Sequence, residues 1–299
     1  MTRPASGLRR WVAAMPWVFV LIWSTGFIVA RYGMAHAPPL KFLALRYALS
    51  MLCFGVWIAF SRPAWPGSRR QALHLWVVGI LMQAGYLGGV WSAVKAGMGA
   101  GTAALLVGLQ PVLTALWASR SAAGVPARQW AGVVIGLGGV ILVLQPKLGV
   151  GELGPASFGM AMIALLSITA GTLYQKRFAG ACDVRTAGLL QQSAALAVTL
   201  PLALLLETQA IDFAPALLGA MAWSVLGLTL GGSSLLYLLI QRGAATQVSS
   251  LMYLVPPCTA LLAWLLFGEI FTPGMALGLA LTALGVALVT APARRATIG

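Results

Sequence analysis

The chain has 299 residues, a net charge of +14, 60% hydrophobic residues and only 8% charged ones. Soluble domains carry about 25% charged and about 45–50% apolar residues, so a soluble globular fold is excluded. So is disorder, which needs low hydrophobicity and high charge. Three cysteines exclude a disulfide scaffold. The remaining class is an all-α polytopic membrane protein, and the mean hydropathy of +0.91 agrees.

A helix crosses the hydrocarbon core with about 20 residues. Runs long enough to cross and free of Asp, Glu, Lys and Arg fall at 11–30, 71–94, 96–119, 129–146, 153–175, 186–206, 213–241, 243–268 and 270–293. A further run, 42–61, qualifies if one intramembrane charge, Arg46, is accepted. Ten spans joined by short loops leave no room for a soluble domain. A β-barrel would show alternating strands of about 10 residues instead. The first run has a basic start at Arg9 and Arg10, as a signal peptide would. It is long, holds Trp17 and Trp23 and lacks a small-residue cleavage site, so it is read as a retained span.

Orientation follows the basic residues. With the N-terminus in the cytoplasm, inside segments hold Arg3, Arg9, Arg10, Arg62, Arg69, Arg70, Arg120, Arg128, Lys176, Arg177, Arg185, Arg242, Arg294 and Arg295. Outside segments hold Arg31, Lys41, Lys95 and Lys147, with Glu207, Asp212 and Glu269. Both termini are therefore expected inside. The positive charge is a topology signal, and no nucleic-acid partner is implied. The bilayer and a small-molecule substrate are the expected partners. The oligomeric state is open, with a monomer the simplest expectation.

The chain also repeats. Residues 104–116 (ALLVGLQPVLTAL) match 249–261 (SSLMYLVPPCTAL), aligning Leu106 with Leu251, Leu109 with Leu254, Pro111 with Pro256, and Thr114-Ala115-Leu116 with Thr259-Ala260-Leu261. Further on, Gly132 aligns with Gly278, and Gly139-Val140 with Gly285-Val286. Residues 1–148 and 149–299 then form two five-helix repeats. Five is odd, so the second enters the membrane inverted. Inverted repeats build many secondary transporters, with substrate held near the midplane between the halves.

Ile22-Trp23-Ser24-Thr25-Gly26-Phe27 on the first span, Ala44-Leu45-Arg46-Tyr47 on the second, and the two Pro-centred segments resemble EamA-type members of the drug/metabolite transporter superfamily. The resemblance covers about residues 14–291. It implies ten helices, two five-helix halves and export of small metabolites. It extends to the YddG-like amino-acid exporters, and no motif separates these from exporters of other metabolites.

Catalytic clusters, paired acids, metal-ligand spacing and a phosphate-binding loop are all missing from the sequence. Hence no enzyme, metal site or cofactor is expected. His36 and His74 lie apart, and Cys53, Cys182 and Cys258 read as apolar fillers. Arg46 is the one formal charge well inside a span, and such a charge is expensive. It either binds a substrate carboxylate as a two-pronged donor or serves structure, by snorkelling or by bonding helix carbonyls.

The remaining cavity candidates are Trp23, Gln83, Tyr86, Trp91, Gln110, Tyr174, Gln191, Gln192, Tyr237, Ser250 and Tyr253. Spacing puts Gln83, Tyr86 and Trp91 on roughly one helical face. Ser233, Ser234 and Ser249 accompany this set. Each residue alone is more often a helix-to-helix bond. Together they describe a cavity of neutral hydrogen-bonding groups and aromatic walls, which suits zwitterionic or apolar molecules. Pro111 and Pro256 read as matched kinks that serve either as hinges or as static bends. Trp11, Trp17 and Trp65 read as interfacial anchors. Gly85-x-x-x-Gly89, Gly132-x-x-x-Gly136, Gly227-x-x-x-Gly231 and Gly274-x-x-x-Gly278 permit close helix packing, and the last admits a dimer seam. None of the five acidic residues sits mid-span, so transport is downhill or coupled through another group. The expected function is export of neutral, apolar or aromatic amino acids by alternating access. The alternatives are export of another small metabolite or drug, and a channel-like facilitator.

Overall fold

The computed structural model describes residues 6–119, 127–147, 153–232, 235 and 254–290. These residues are helical, with no strand among them. The elements are α1 (Ser6–His36), α2 (Pro39–Ser61), α3 (Arg69–Lys95), α4 (Ala100–Val107), α5 (Gln110–Ser119) and α6 (Ala127–Leu144). They continue with α7 (Pro155–Ala179), α8 (Val184–Leu206), α9 (Pro215–Gly232), α10 (Val255–Phe267) and α11 (Pro273–Thr290). Among the described residues, 7 helices are long and apolar enough to cross a membrane, rather than the ten expected. The difference has a local cause. The fourth expected span is broken at Gly108-Leu109 into α4 and α5. The ninth is described only from Leu254 onward, and α11 has a shorter apolar stretch.

Helix ends follow local chemistry. Pro39 starts α2 in the first turn, where its missing N–H has no intrahelical acceptor to lose. Ser68 caps α3 by accepting from Gln71 N at 3.1 Å. Asp183 caps α8 by accepting from Arg185 N at 2.9 Å. The Arg185 guanidinium, hydrogen-bonded to the same carboxylate, holds the Asp183 carboxyl below its ordinary range. The cap is therefore ionised at neutral pH and is lost only as pH falls below that lowered value. Gly97 (φ +100°) turns the chain from α3 into α4, and Gly268 (φ +64°) ends α10, both conformations that favour glycine.

Among the described residues, three wide π-helical segments interrupt the α-helices. They lie at Ile80–Gly85 in α3, Gln175–Ala179 at the end of α7 and Trp223–Gly232 in α9. The first and third fall at matched places in the two aligned halves.

The contacts pair helices across the halves. α6 packs along α11, α2 along α8, and α4 against α10. Equivalent crosswise pairs also occur: α3 meets α7 as α9 meets α1, and α3 meets α8 as α9 meets α2. Glycine permits the tightest of these seams. A Cβ on Gly139 would lie 2.5 Å from Gly278 O, and one on Gly278 would lie 2.6 Å from Gly139 O. Gly285 meets Gly132 O and the Gly136 backbone in the same way. Gly278 of α11 is thus occupied inside the chain and is not free to form a dimer seam. Overpacking against fixed backbone costs about 1–3 kcal/mol, so Gly139→Ala lowers the melting temperature in detergent. Gly138, with nothing within 4 Å of its Cβ position, gains helix propensity instead. Gly138→Ala is therefore neutral or stabilising by up to about 1 kcal/mol. Equal effects of the two substitutions would refute this seam.

Two ends of the bundle differ in chemistry. At the acidic end, the Glu207 carboxylate accepts from Leu40 N and Lys41 N, both at 2.8 Å, at the start of α2. Glu269 accepts from Ala100 N at 2.9 Å, at the start of α4, and pairs with Arg31 at 3.1 Å. Asp212 bonds His36 Nδ1 at 2.9 Å, and Lys95 Nζ donates to Met34 O at 2.8 Å. The other end gathers Arg62, Arg69, Arg70, Lys176 and Arg177. There Gln71 donates to Ala179 O and Ala181 O, and Thr186 donates to Ala64 O.

Candidate functional site

α2 carries Arg46 and Tyr47 side by side on a buried face. Each residue reaches one of the two matched wide segments. Arg46 Nη2 donates to Thr229 Oγ1 of α9 at 3.1 Å. The Thr229 hydroxyl in turn donates to Ser224 O at 3.0 Å, a carbonyl five residues back along the wide turn. Tyr47 Oη donates to Gln83 O of α3 at 2.8 Å. A wide turn displaces backbone groups from the usual ladder, and two consecutive residues of α2 bond to those two segments.

Arg46 is only 6% exposed, and its Nε has no hydrogen-bond partner. No acidic side chain faces it among the described residues. Asp183 pairs with Arg185, Asp212 with His36, Glu269 with Arg31, and Glu207 caps α2. The guanidinium is therefore a buried cation that donates to a neutral hydroxyl and meets no acidic side chain among the described residues. An unpaired buried charge is costly and calls for an anionic partner.

The cavity beside Arg46 comprises about 740 Å³ of empty space, part of it open to solvent. Trp23, Gln83, Tyr86, Trp91 and Gln192 line it together with Arg46, so six of the candidates converge there. Phe27, Leu228, Ile168 and Thr229 complete much of the wall. A second cavity of about 580 Å³ shares Trp23, Phe27, Tyr86 and Ile168 with the first. Gln110, Pro256 and Thr282 also line it. The two spaces are thus adjoining chambers divided by aromatic side chains. Trp91 is almost wholly buried and stacks on Phe42 with centroids 4.4 Å apart, so it supports the wall more than it faces the space. Gln110 Nε2 lies 3.3 Å from both Thr114 Oγ1 and Thr172 Oγ1, which orients the amide. Gln192 contributes an unpartnered Oε1.

Two candidates lie elsewhere. Tyr174 bonds His74 Nδ1 at 2.8 Å near the basic end, and His74 stacks on Phe178 at 5.3 Å. Gln191 lies at the α3–α8 seam, where its backbone carbonyl would be 2.5 Å from a Cβ on Gly79. Tyr237, Ser250 and Tyr253, with Ser233, Ser234 and Ser249, lie outside the described residues.

Pro111 kinks no continuous helix: it occupies the second position of α5, and the helix breaks just ahead of it, at Gly108-Leu109. Pro256 stands second in α10, which is described from Leu254 onward. Gly108 lies close to Pro256, since a Cβ there would be 2.8 Å from the proline Cγ. The break ahead of Pro111 and the start of α10 therefore meet beside the second cavity.

Sequence reasoning missed Tyr47, Phe27, Thr229 and Thr282. Tyr47 and Phe27 stood inside the segments that carried the family resemblance. A mid-span threonine gave no signal, because threonine also bonds its own helix, as Thr282 does with Gly278 O at 2.8 Å.

Comparison with known proteins agrees with this architecture. A solved protein crystal structure superposes with a TM-score of 0.64 at 21% identity, covering 96% of this chain and 99% of that one, which shows the shared fold. The uncharacterized inner membrane transporter YedA of Escherichia coli K12 is 26% identical over 282 residues, 90% of this chain and 87% of its own. A probable amino-acid metabolite efflux pump of Salmonella typhimurium LT2 is 27% identical over 159 residues, 53% of this chain. The match spans about half, 51%, of that pump's length. The family model described as EamA-like transporter matches twice, over residues 11–145 and 157–291. With nearly the whole length covered by two copies of that model, the chain belongs to the EamA-like transporter family.

Proposed function

We propose that the chain exports neutral amino acids, apolar or aromatic, across the bacterial inner membrane by alternating access. The observation that carries this reading is Arg46, a buried cation without an acidic partner among the described residues, on the wall of an aromatic-lined cavity. A guanidinium matches a carboxylate with two parallel bonds. Trp23, Phe27, Tyr86 and Ile168 supply apolar surface for a side chain. The name of the Salmonella relative, an amino-acid metabolite efflux pump, supports the same class.

The mechanism we infer uses two inverted five-helix repeats. Support comes from the two family matches and from contacts that map onto themselves when the halves are exchanged. The pair Gly139–Gly278 becomes Gly285–Gly132 under the offset that aligns the halves. An axis in the membrane plane would run through the α2–α8, α4–α10 and α6–α11 pairs. The break ahead of Pro111 and the matched segment at Pro256 would act as hinges, and the wide segments of α3 and α9 as their partners. Both termini and the basic end would face the cytoplasm, and the acidic end the outside.

Counterflow in proteoliposomes tests the reading. Unlabelled amino acid is loaded inside and labelled phenylalanine is followed as it enters. Saturable, trans-stimulated uptake is expected. No trans-stimulated uptake of any amino acid by folded protein would overturn the substrate class. Unsaturable flux would instead indicate a channel.

A further inference from the structure

Two residues that line the cavity each carry a buried polar atom without a hydrogen bond, one a donor and one an acceptor. Arg46 Nε lacks an acceptor, and Gln192 Oε1 lacks a donor. Both side chains line the same 740 Å³ space. They come from α2 and α8, two helices that pack directly against each other. Both residues are at least nine-tenths buried, with Gln192 3% exposed. A buried carbonyl oxygen without a hydrogen bond is destabilising, so its retention points to a donor that arrives with the ligand.

We infer that Gln192 accepts the ammonium of the substrate while Arg46 holds its carboxylate, so that the pair reads the zwitterion of a free α-amino acid. This rests on the amino-acid reading above and narrows it. The acceptor is a neutral amide, and no carboxylate lines the cavity among the described residues. A second cationic group on the substrate would therefore meet no counter-charge, and a second carboxylate would find only the guanidinium already engaged. The class is accordingly monoamino, monocarboxylic amino acids with both groups unmodified. Dibasic amino acids, amines, N-acylated amino acids and simple carboxylic acids are rejected.

Competition in the counterflow assay tests this with three ligands of one skeleton: phenylalanine, 3-phenylpropionate and phenethylamine. A site built to bond a polar group rejects an analogue lacking it by large factors. In the wild-type protein each analogue should compete at least about tenfold more weakly than phenylalanine. Gln192→Met keeps the side-chain volume and removes the acceptor. It should bring phenylalanine down toward 3-phenylpropionate, whose own competition stays unchanged, and Gln192→Asn should restore part of the ratio. A purely structural role would weaken both ligands alike. Equal competition by phenylalanine and 3-phenylpropionate in the wild type overturns the assignment without any variant. So does an unchanged ratio in Gln192→Met. In either case phenylalanine counterflow still stands, and with it the amino-acid reading. Absence of counterflow with every amino acid overturns that reading and this inference with it.

Discussion

Arg46→Met abolishes amino-acid counterflow and leaves the folded protein as stable as before, or more stable. The two effects have one cause. The guanidinium is buried and donates to a neutral hydroxyl, Thr229 Oγ1 at 3.1 Å, with no acidic partner among the described residues. Holding an unpaired cation there opposes folding by several kcal/mol. Methionine removes that cost and fills similar space. Thr229 keeps its bond to Ser224 O at 3.0 Å, so little is left unsatisfied. For transport the balance reverses. Each hydrogen bond to a charged group contributes about 1.5–3 kcal/mol, so losing a two-pronged carboxylate bond lowers affinity by roughly a hundredfold or more. Arg46→Lys retains the charge without the planar fork and should fall between. Counterflow rates and melting curves in detergent measure the two quantities on the same samples. If Arg46→Met melts well below the wild type while transport persists, Arg46 is a strap between α2 and α9 and the carboxylate role is wrong.

Arg46 was legible in the sequence because charge is so rare in a span that position alone marks it. The aromatic and amide set was partly legible for the same reason. Gln83, Tyr86 and Trp91 do line one cavity, as their spacing on one helix face requires. Tyr174 and Gln191 show the limit. Periodicity says that residues share a face but not which neighbour that face meets. Tyr174 meets His74, and Gln191 lies at a helix seam. Pro111 shows the same limit: a proline kinks a helix only when helix precedes it, and the sequence did not mark the break at Gly108-Leu109, where Pro256 of another span packs close by. The wide segments were not legible at all. Ile80-Leu81-Met82-Gln83-Ala84-Gly85 has no composition that separates a wide turn from an α-turn. The difference rests on bonds such as Tyr47 Oη to Gln83 O, made by a residue 36 positions away in sequence. The break within the fourth apolar run was hidden for a related reason, since an uncharged run measures solubility in lipid and not helical continuity.

Glu207→Ala with Glu269→Ala opens the acidic end. Both carboxylates cap helices that are not their own. Glu207, following α8, satisfies two backbone donors at the start of α2, and Glu269, following α10, satisfies one at the start of α4. In each case the cap joins a helix to its counterpart in the other half. Glu269 also draws Arg31 of α1 to the same point. At the basic end the α8 start is capped locally by Asp183, with no carboxylate reaching across among the described residues. Under the alternating-access reading proposed above, these carboxylate caps between halves would close the acidic end and would have to break as the halves rock. A lost cap costs about 0.5–2 kcal/mol, so the double change weakens closure by about 2 kcal/mol, which shifts a two-state equilibrium roughly thirtyfold. The readout is labelling at Ala104→Cys, a position on the second cavity wall. The background replaces Cys53, Cys182 and Cys258 with serine. A membrane-impermeant maleimide is applied to right-side-out spheroplasts. Labelling should accelerate by about that factor in the double variant. Glu207→Gln with Glu269→Gln should give a smaller rise, because a neutral amide oxygen still accepts while the favourable charge at the helix start is lost. An unchanged labelling rate, in protein that still binds substrate, would mean that these caps hold helix ends in place without holding the halves together.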